Sequence, residues 1–242
     1  MIEQPLDASH SAIAVVIMAI GSALQGSVGI GLALFVVPLL ALVDRSFIPG
    51  PMLFAGVLLA LMTAYRERTA IDAAALRSSL IGLAGGTIVG VVTLKFVSGS
   101  GSHLDQMFGA LVLLAVVIGI SGAKFDATPR LLMLAGGASG VMGAMVGIHG
   151  PPISLALQNT EPRVVRAMLG VFFSVAYVGS VAVLAVFGLF GMAELLRAAI
   201  LLPGVVIGVA AAPLLARYID GKRLRLIILA IAAVSGLTLL MR

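Results

Sequence analysis

Apolar residues come in eight long runs separated by short polar connections, spanning 11–43, 48–65, 78–97, 104–123, 131–159, 164–190, 198–216 and 224–241. Most are close to the roughly 20 residues that one membrane-crossing helix needs. The first and fifth are too long for one crossing and too short for two: as continuous helices they reach about 45–50 Å against a hydrocarbon core of about 30 Å. Each is interrupted by glycine, at Gly26-Ser27-Val28-Gly29-Ile30-Gly31 and at Gly143-Ala144-Met145-Val146-Gly147-Ile148-His149-Gly150-Pro151-Pro152. The pattern predicts an all-α polytopic membrane protein in which these two segments are broken, re-entrant helical hairpins and the other six are transmembrane helices.

Composition agrees. Of the 242 residues, 61% are hydrophobic and 10% charged, and the mean hydropathy is +1.20; soluble domains have about 45–50% apolar and about 25% charged residues. There is no cysteine, so neither a disulfide framework nor a thiolate metal site is available, and no metal or cofactor is called for. The first ten residues carry Glu3 and Asp7 without Lys or Arg, which does not read as a cleaved signal peptide. The net charge of +5 does not signify nucleic acid, because the basic residues sit between apolar runs, where cytoplasmic retention accounts for them.

The order of motifs suggests duplication. Val28-Gly29-Ile30 recurs as Val146-Gly147-Ile148, Leu76-Arg77 as Leu196-Arg197, and Gly86/Gly90 as Gly204/Gly208, all at shifts of 118 to 120 residues. We expect two repeats, 1–123 (hairpin 11–43, spans 48–65, 78–97 and 104–123) and 124–242 (hairpin 131–159, spans 164–190, 193–217 and 222–241). If both hairpins return to the side they entered, eleven basic residues (Arg66, Arg68, Arg77, Lys124, Arg130, Arg163, Arg166, Arg217, Lys222, Arg223 and Arg225) share one face. Only Arg45, Lys95, Arg197 and Arg242 lie on the other. That bias puts the first face in the cytoplasm and both termini outside. One hairpin plus three spans per half is an odd number of crossings, so the halves are expected to be inverted.

All ten acidic residues fall in termini, loops or the ends of spans, whereas a transported cation or a proton relay calls for a carboxylate inside the membrane. The hairpin tips offer instead the unpaired N–H groups and positive dipole of a helix N-terminus, with glycines that admit a close ligand. An anion is the expected cargo. The candidate binding residues are Gln25, Ser27, Gly29 and Gly31 at the first tip, and Gly147, His149 and Gly150 at the second. His149 either donates to the anion, carries a coupling proton, or as a neutral ring bonds a hairpin carbonyl. Gln25 and Ser27 either donate to the anion or satisfy local backbone. Gly86/Gly90 and Gly204/Gly208, inside uninterrupted spans, read as close-packing contacts between helices.

Two four-element halves, each opening with a glycine-rich break followed by proline, resemble the TauE/SafE family of sulfite exporter-like permeases. The residues carrying the likeness are Gly26 to Gly31 with Pro38-Leu39-Leu40, Gly143 to Pro152, and Pro162-Arg163-Val164-Val165-Arg166-Ala167. The resemblance covers essentially the whole chain. It implies a bacterial inner-membrane carrier that exports or exchanges sulfite or an organosulfonate. The first motif departs from the family pattern in lacking three consecutive glycines, and His149 stands where many members carry glycine. A passive anion channel is the competing reading. Gly137-Ala138-Ser139-Gly140 also looks like the serine motif of rhomboid proteases, but the one later histidine, His149, sits in the second break. A nucleophile without a positioned base is weak, and we expect no enzyme.

Overall fold

A computed structural model describes residues 7–28, 32–67, 71–100, 104–121, 125–215 and 221–241. Among them are ten α-helices: α1 (Ala8–Val28), α2 (Leu32–Val43), α3 (Gly50–Glu67), α4 (Ala73–Ser100), α5 (Leu104–Ile120), α6 (Pro129–Val146), α7 (Gly150–Ala156), α8 (Pro162–Val186), α9 (Met192–Leu215) and α10 (Gly221–Leu240). A single 3-10 turn, Arg45–Phe47, joins α2 to α3. The second over-long run is broken at a glycine, between α6 and α7; in the first, α1 and α2 flank residues 29–31, which lie outside the described ones.

The arms of these broken segments are unequal. α1 and α6 have 21 and 18 residues, about 31 and 27 Å at helical rise, and are long and apolar enough to cross a membrane, as are stretches of α4, α8, α9 and α10. α2 and α7 have only 12 and 7 residues. Each of these two segments thus pairs a helix of spanning length with a shorter one that follows it.

Polar side chains at helix ends explain where the charge goes. Asp7 accepts from Ser9 N at 3.0 Å, Asp72 from Ala74 N and Ala75 N at 3.0 and 3.1 Å, and Thr128 Oγ1 from Leu131 N at 3.3 Å, each filling an orphan N–H of a first turn. Arg45 pairs with Asp105 at 3.0 Å, Arg197 with Glu194 at 3.2 Å, and Lys95 Nζ donates to the Phe187 carbonyl at 3.1 Å. Large apolar side chains such as Val89, Phe96, Leu134, Val186 and Leu226 are exposed, as a surface solvated by lipid tails requires.

Two glycine seams hold the helices together. α4 runs along α6 and α1 along α9, while α3 packs on α8 and α5 on α10. A Cβ at Gly82 would strike the Met133 carbonyl, one at Gly86 the Gly137 carbonyl, and one at Gly90 would lie 2.6 Å from the Val141 oxygen. On the other seam Gly204 faces the Val15 carbonyl, Gly208 the Ala19 carbonyl, and a Cβ at Gly26 would lie 2.6 Å from Ala212 Cβ. The packing role expected of Gly86, Gly90, Gly204 and Gly208 is therefore what the helices use: small residues let backbones approach until dispersion and Cα–H···O contacts replace side-chain packing. Both pairs rise in the same order, so α1 runs parallel to α9 and α4 parallel to α6.

Candidate functional site

The second break is made by backbone geometry. α6 stops at Gly147, whose φ of +86° and ψ of 5° are left-handed, a conformation that glycine adopts without a steric penalty. Its N–H closes the helix by donating to the Gly143 carbonyl at 2.8 Å. The chain then passes Ile148 and His149 and re-enters a helix at Gly150, with Pro151 and Pro152 in the first turn, where a missing N–H costs nothing. Neither Ile148 N–H nor His149 N–H meets a backbone acceptor among the described residues.

His149 holds the N-cap position of α7 but does not cap it. Its ring is fully buried and folds back over Gly143 of α6, where any side chain would collide with the imidazole. Nε2 lies 3.1 Å from the Ser180 hydroxyl of α8. The Tyr177 ring stands 5.4 Å away, tilted by 56°, and is itself stacked on Phe173 at 6.0 Å, whose Cζ would sit 3.7 Å from a Cβ at Gly150. Nδ1 is enclosed with no hydrogen-bond partner. The Gly147 carbonyl faces the ring without completing that geometry.

At the first break the polar side chains serve the backbone. Gln25 Oε1 accepts the Leu32 N–H at 3.2 Å and so caps the start of α2, while Ser27 Oγ donates to the Leu24 carbonyl at 2.9 Å. Gly21 lies under Val36, with Leu32 Cδ1 3.1 Å from where its Cβ would be, so α2 turns back antiparallel along α1. Gly29 and Gly31 lie outside the described residues.

The two breaks come together through α3 and α8. A Cβ at Gly56 would be 2.9 Å from Tyr177 Cε2 and 3.8 Å from Leu32 Cδ2, so the start of α2 touches Gly56, Gly56 touches Tyr177, and Tyr177 touches His149. A Cβ at Gly147 would likewise lie 3.2 Å from Met52 Sδ and 3.3 Å from Val37 Cγ2. The second break is thus seated against α2 and α3.

Around this junction the chemistry is neutral. Among the described residues the buried polar side chains are Ser22, Gln25, Ser79, Thr87, Ser139, His149, Ser174, Ser180 and Ser235, with no carboxylate, lysine or arginine. No group of three residues able to hold a metal occurs among the described residues. Ser139 is buried with an unpartnered hydroxyl, and the His149 Nε2 that a protease would aim at it is bonded to Ser180 instead.

Ser180 and Tyr177 were not singled out from sequence. They stand three residues apart inside an apolar run, hence on one helical face, and polar groups within a span are functional candidates by default. That spacing was the available signal.

Neither a curated protein nor a solved structure matches the chain significantly. The family model described as sulfite exporter TauE/SafE matches residues 13–239, a stretch that includes both breaks, both glycine seams and the His149–Ser180 pair. An all-helical, lipid-facing protein whose buried junction is free of carboxylates accords with that match, and the chain belongs to the sulfite exporter TauE/SafE family.

Proposed function

We propose that this protein is a secondary carrier that exports sulfite or an organosulfonate across the bacterial inner membrane, binding it where the two helix breaks meet, with both termini on the periplasmic side. The observation that carries this reading is the buried His149, with Nδ1 unpartnered and no carboxylate among the groups in contact with its ring. A cation would find no compensating charge there. An oxyanion would meet an imidazole and, at the second break, backbone N–H groups without backbone acceptors, an arrangement that stabilises negative charge in a low dielectric.

The inverted-repeat reading is part of the proposal. Exchanging α1–α5 with α6–α10 turns the α1–α9 seam into the α6–α4 seam and maps the α3–α8 and α5–α10 pairs onto themselves. At the 118-residue shift the two seams are one helical turn out of step, since Gly204 meets Val15 while Gly86 meets Gly137. Repeats related in this way support alternating access by movement of one half against the other. The enclosure of His149 suits a carrier better than an open pore.

Purified protein in liposomes loaded with unlabelled sulfite should accumulate external ³⁵S-sulfite transiently and saturably, the mark of exchange by a carrier. Flux that rises linearly with sulfite and shows no counterflow would establish a channel, and absence of any sulfite flux would remove this substrate class.

A further inference from the structure

We infer that Ser180 is a positioning residue that fixes the tautomer of His149: its hydroxyl donates to Nε2, leaving Nδ1–H as the one donor that the ring presents to an oxyanion. The inference rests on the anion site proposed above and deepens it by naming the group that selects for an oxygen acceptor.

Counting protons decides the direction of the 3.1 Å contact. A serine hydroxyl has one proton, and a neutral imidazole has one N–H and one acceptor nitrogen. Several serines and threonines in these helices spend that proton on a carbonyl of their own helix, as Ser79 does on Leu76, Ser174 on Gly170 and Thr238 on Val234. Ser180 makes no such bond; its partner is His149. If Nε2 carried the proton, the Ser180 O–H would be buried without an acceptor, and Nδ1 would be a buried acceptor without a donor. If Ser180 donates, only Nδ1–H remains unmatched. The second arrangement leaves one orphan instead of two, and each buried orphan is costly.

The remaining orphan is a donor, which an oxygen of a sulfur oxyanion satisfies and a cation does not. Tyr177 and Gly143 close the ring from two further sides, which opposes the half-turn about Cβ–Cγ that would put Cε1 in place of Nε2 at Ser180.

The test is ¹⁵N NMR of histidine-labelled protein in lipid nanodiscs, with the His149 signals assigned by their loss in His149→Asn. Wild type is expected to show a protonated Nδ1 and a bare Nε2, Ser180→Ala a shift toward the other tautomer, and Ser180→Thr, which keeps the hydroxyl, the wild-type pattern. A protonated Nε2 in wild type, or an unchanged pattern in Ser180→Ala, overturns the inference. Added sulfite should move the Nδ1 resonance. If the tautomer is as stated but sulfite moves neither nitrogen, the anion site fails and the role given to Nδ1 fails with it. As an independent check, His149→Asn puts an amide near the Nδ1 position and should keep sulfite binding, while His149→Gln reaches only toward Ser180. The latter should weaken binding about ten- to hundredfold, the worth of one hydrogen bond to a charged group; equal loss in both variants contradicts the assignment.

Discussion

The imidazole of His149 lies directly over Gly143, one helix folded back on the end of another, and the space between them has no room for a methyl group. Gly143→Ala should therefore expel the ring from its place and break the Nε2–Ser180 contact without touching Ser180. The expected result is sulfite binding weakened at least about tenfold with helix content unchanged by circular dichroism. Binding at wild-type strength would mean that the ring position is immaterial.

Gln25, a candidate ligand at the first break, caps α2 through its side-chain carbonyl. Gln25→Ala should cost about 1 kcal/mol of stability, the usual worth of a lost cap, read as a lower thermal midpoint in detergent. Gln25→Glu keeps an acceptor for Leu32 N–H while adding a negative charge at the first break. It should remain folded and bind anions more weakly; unchanged affinity would place the anion away from this break.

The seams predict opposite outcomes for neighbouring glycines. Gly86→Leu pushes a side chain into the Gly137 backbone and should lose about 2–3 kcal/mol or fail to fold. Gly85, one residue away, has nothing within 4 Å of a built Cβ, so Gly85→Ala should gain up to about 1 kcal/mol. Gly147→Ala should cost about 1–2 kcal/mol through its left-handed backbone. Denaturant titration of the three variants in mixed micelles measures all of these.

These contrasts show what could and could not be read from the sequence. Apolar run length marked the helices and singled out the two over-long segments, because the hydrocarbon thickness is imposed by the solvent, and the glycine-rich stretches marked where those segments break. It could not set arm lengths: α4 begins at Ala73, five residues before its apolar run, because alanines behind an Asp72 cap continue a helix out of the lipid. The unequal arms of the second segment depend on the positive φ of Gly147, one glycine among several in that stretch. At the site, Gly147 and His149 stood out because a glycine-rich break and an intramembrane histidine are rare signals. Tyr177 and Ser180 did not, because their meaning comes from the α7 segment packed against them.

The parallel seams put the starts of α1 and α9 on one side of the membrane, and the proposed orientation makes that side the periplasm. Since α1 runs alongside α9 in the same direction, single cysteines at Ala8 and Met192, in a chain with no native cysteine, should both react with a membrane-impermeant maleimide from the periplasm. A cysteine at Asp126, before α6, should react only after permeabilisation. Labelling of Ala8→Cys and Met192→Cys from opposite sides would break the seam and the inverted arrangement together.

The central claim, an oxyanion held at the buried junction of the two breaks, is tested most directly by equilibrium binding of ³⁵S-sulfite to purified protein in nanodiscs, wild type against His149→Leu. The account predicts saturable binding to wild type that an unlabelled organosulfonate displaces, and at least a tenfold weaker Kd in the variant, about 1.4 kcal/mol. Equal affinity in the two proteins would contradict it.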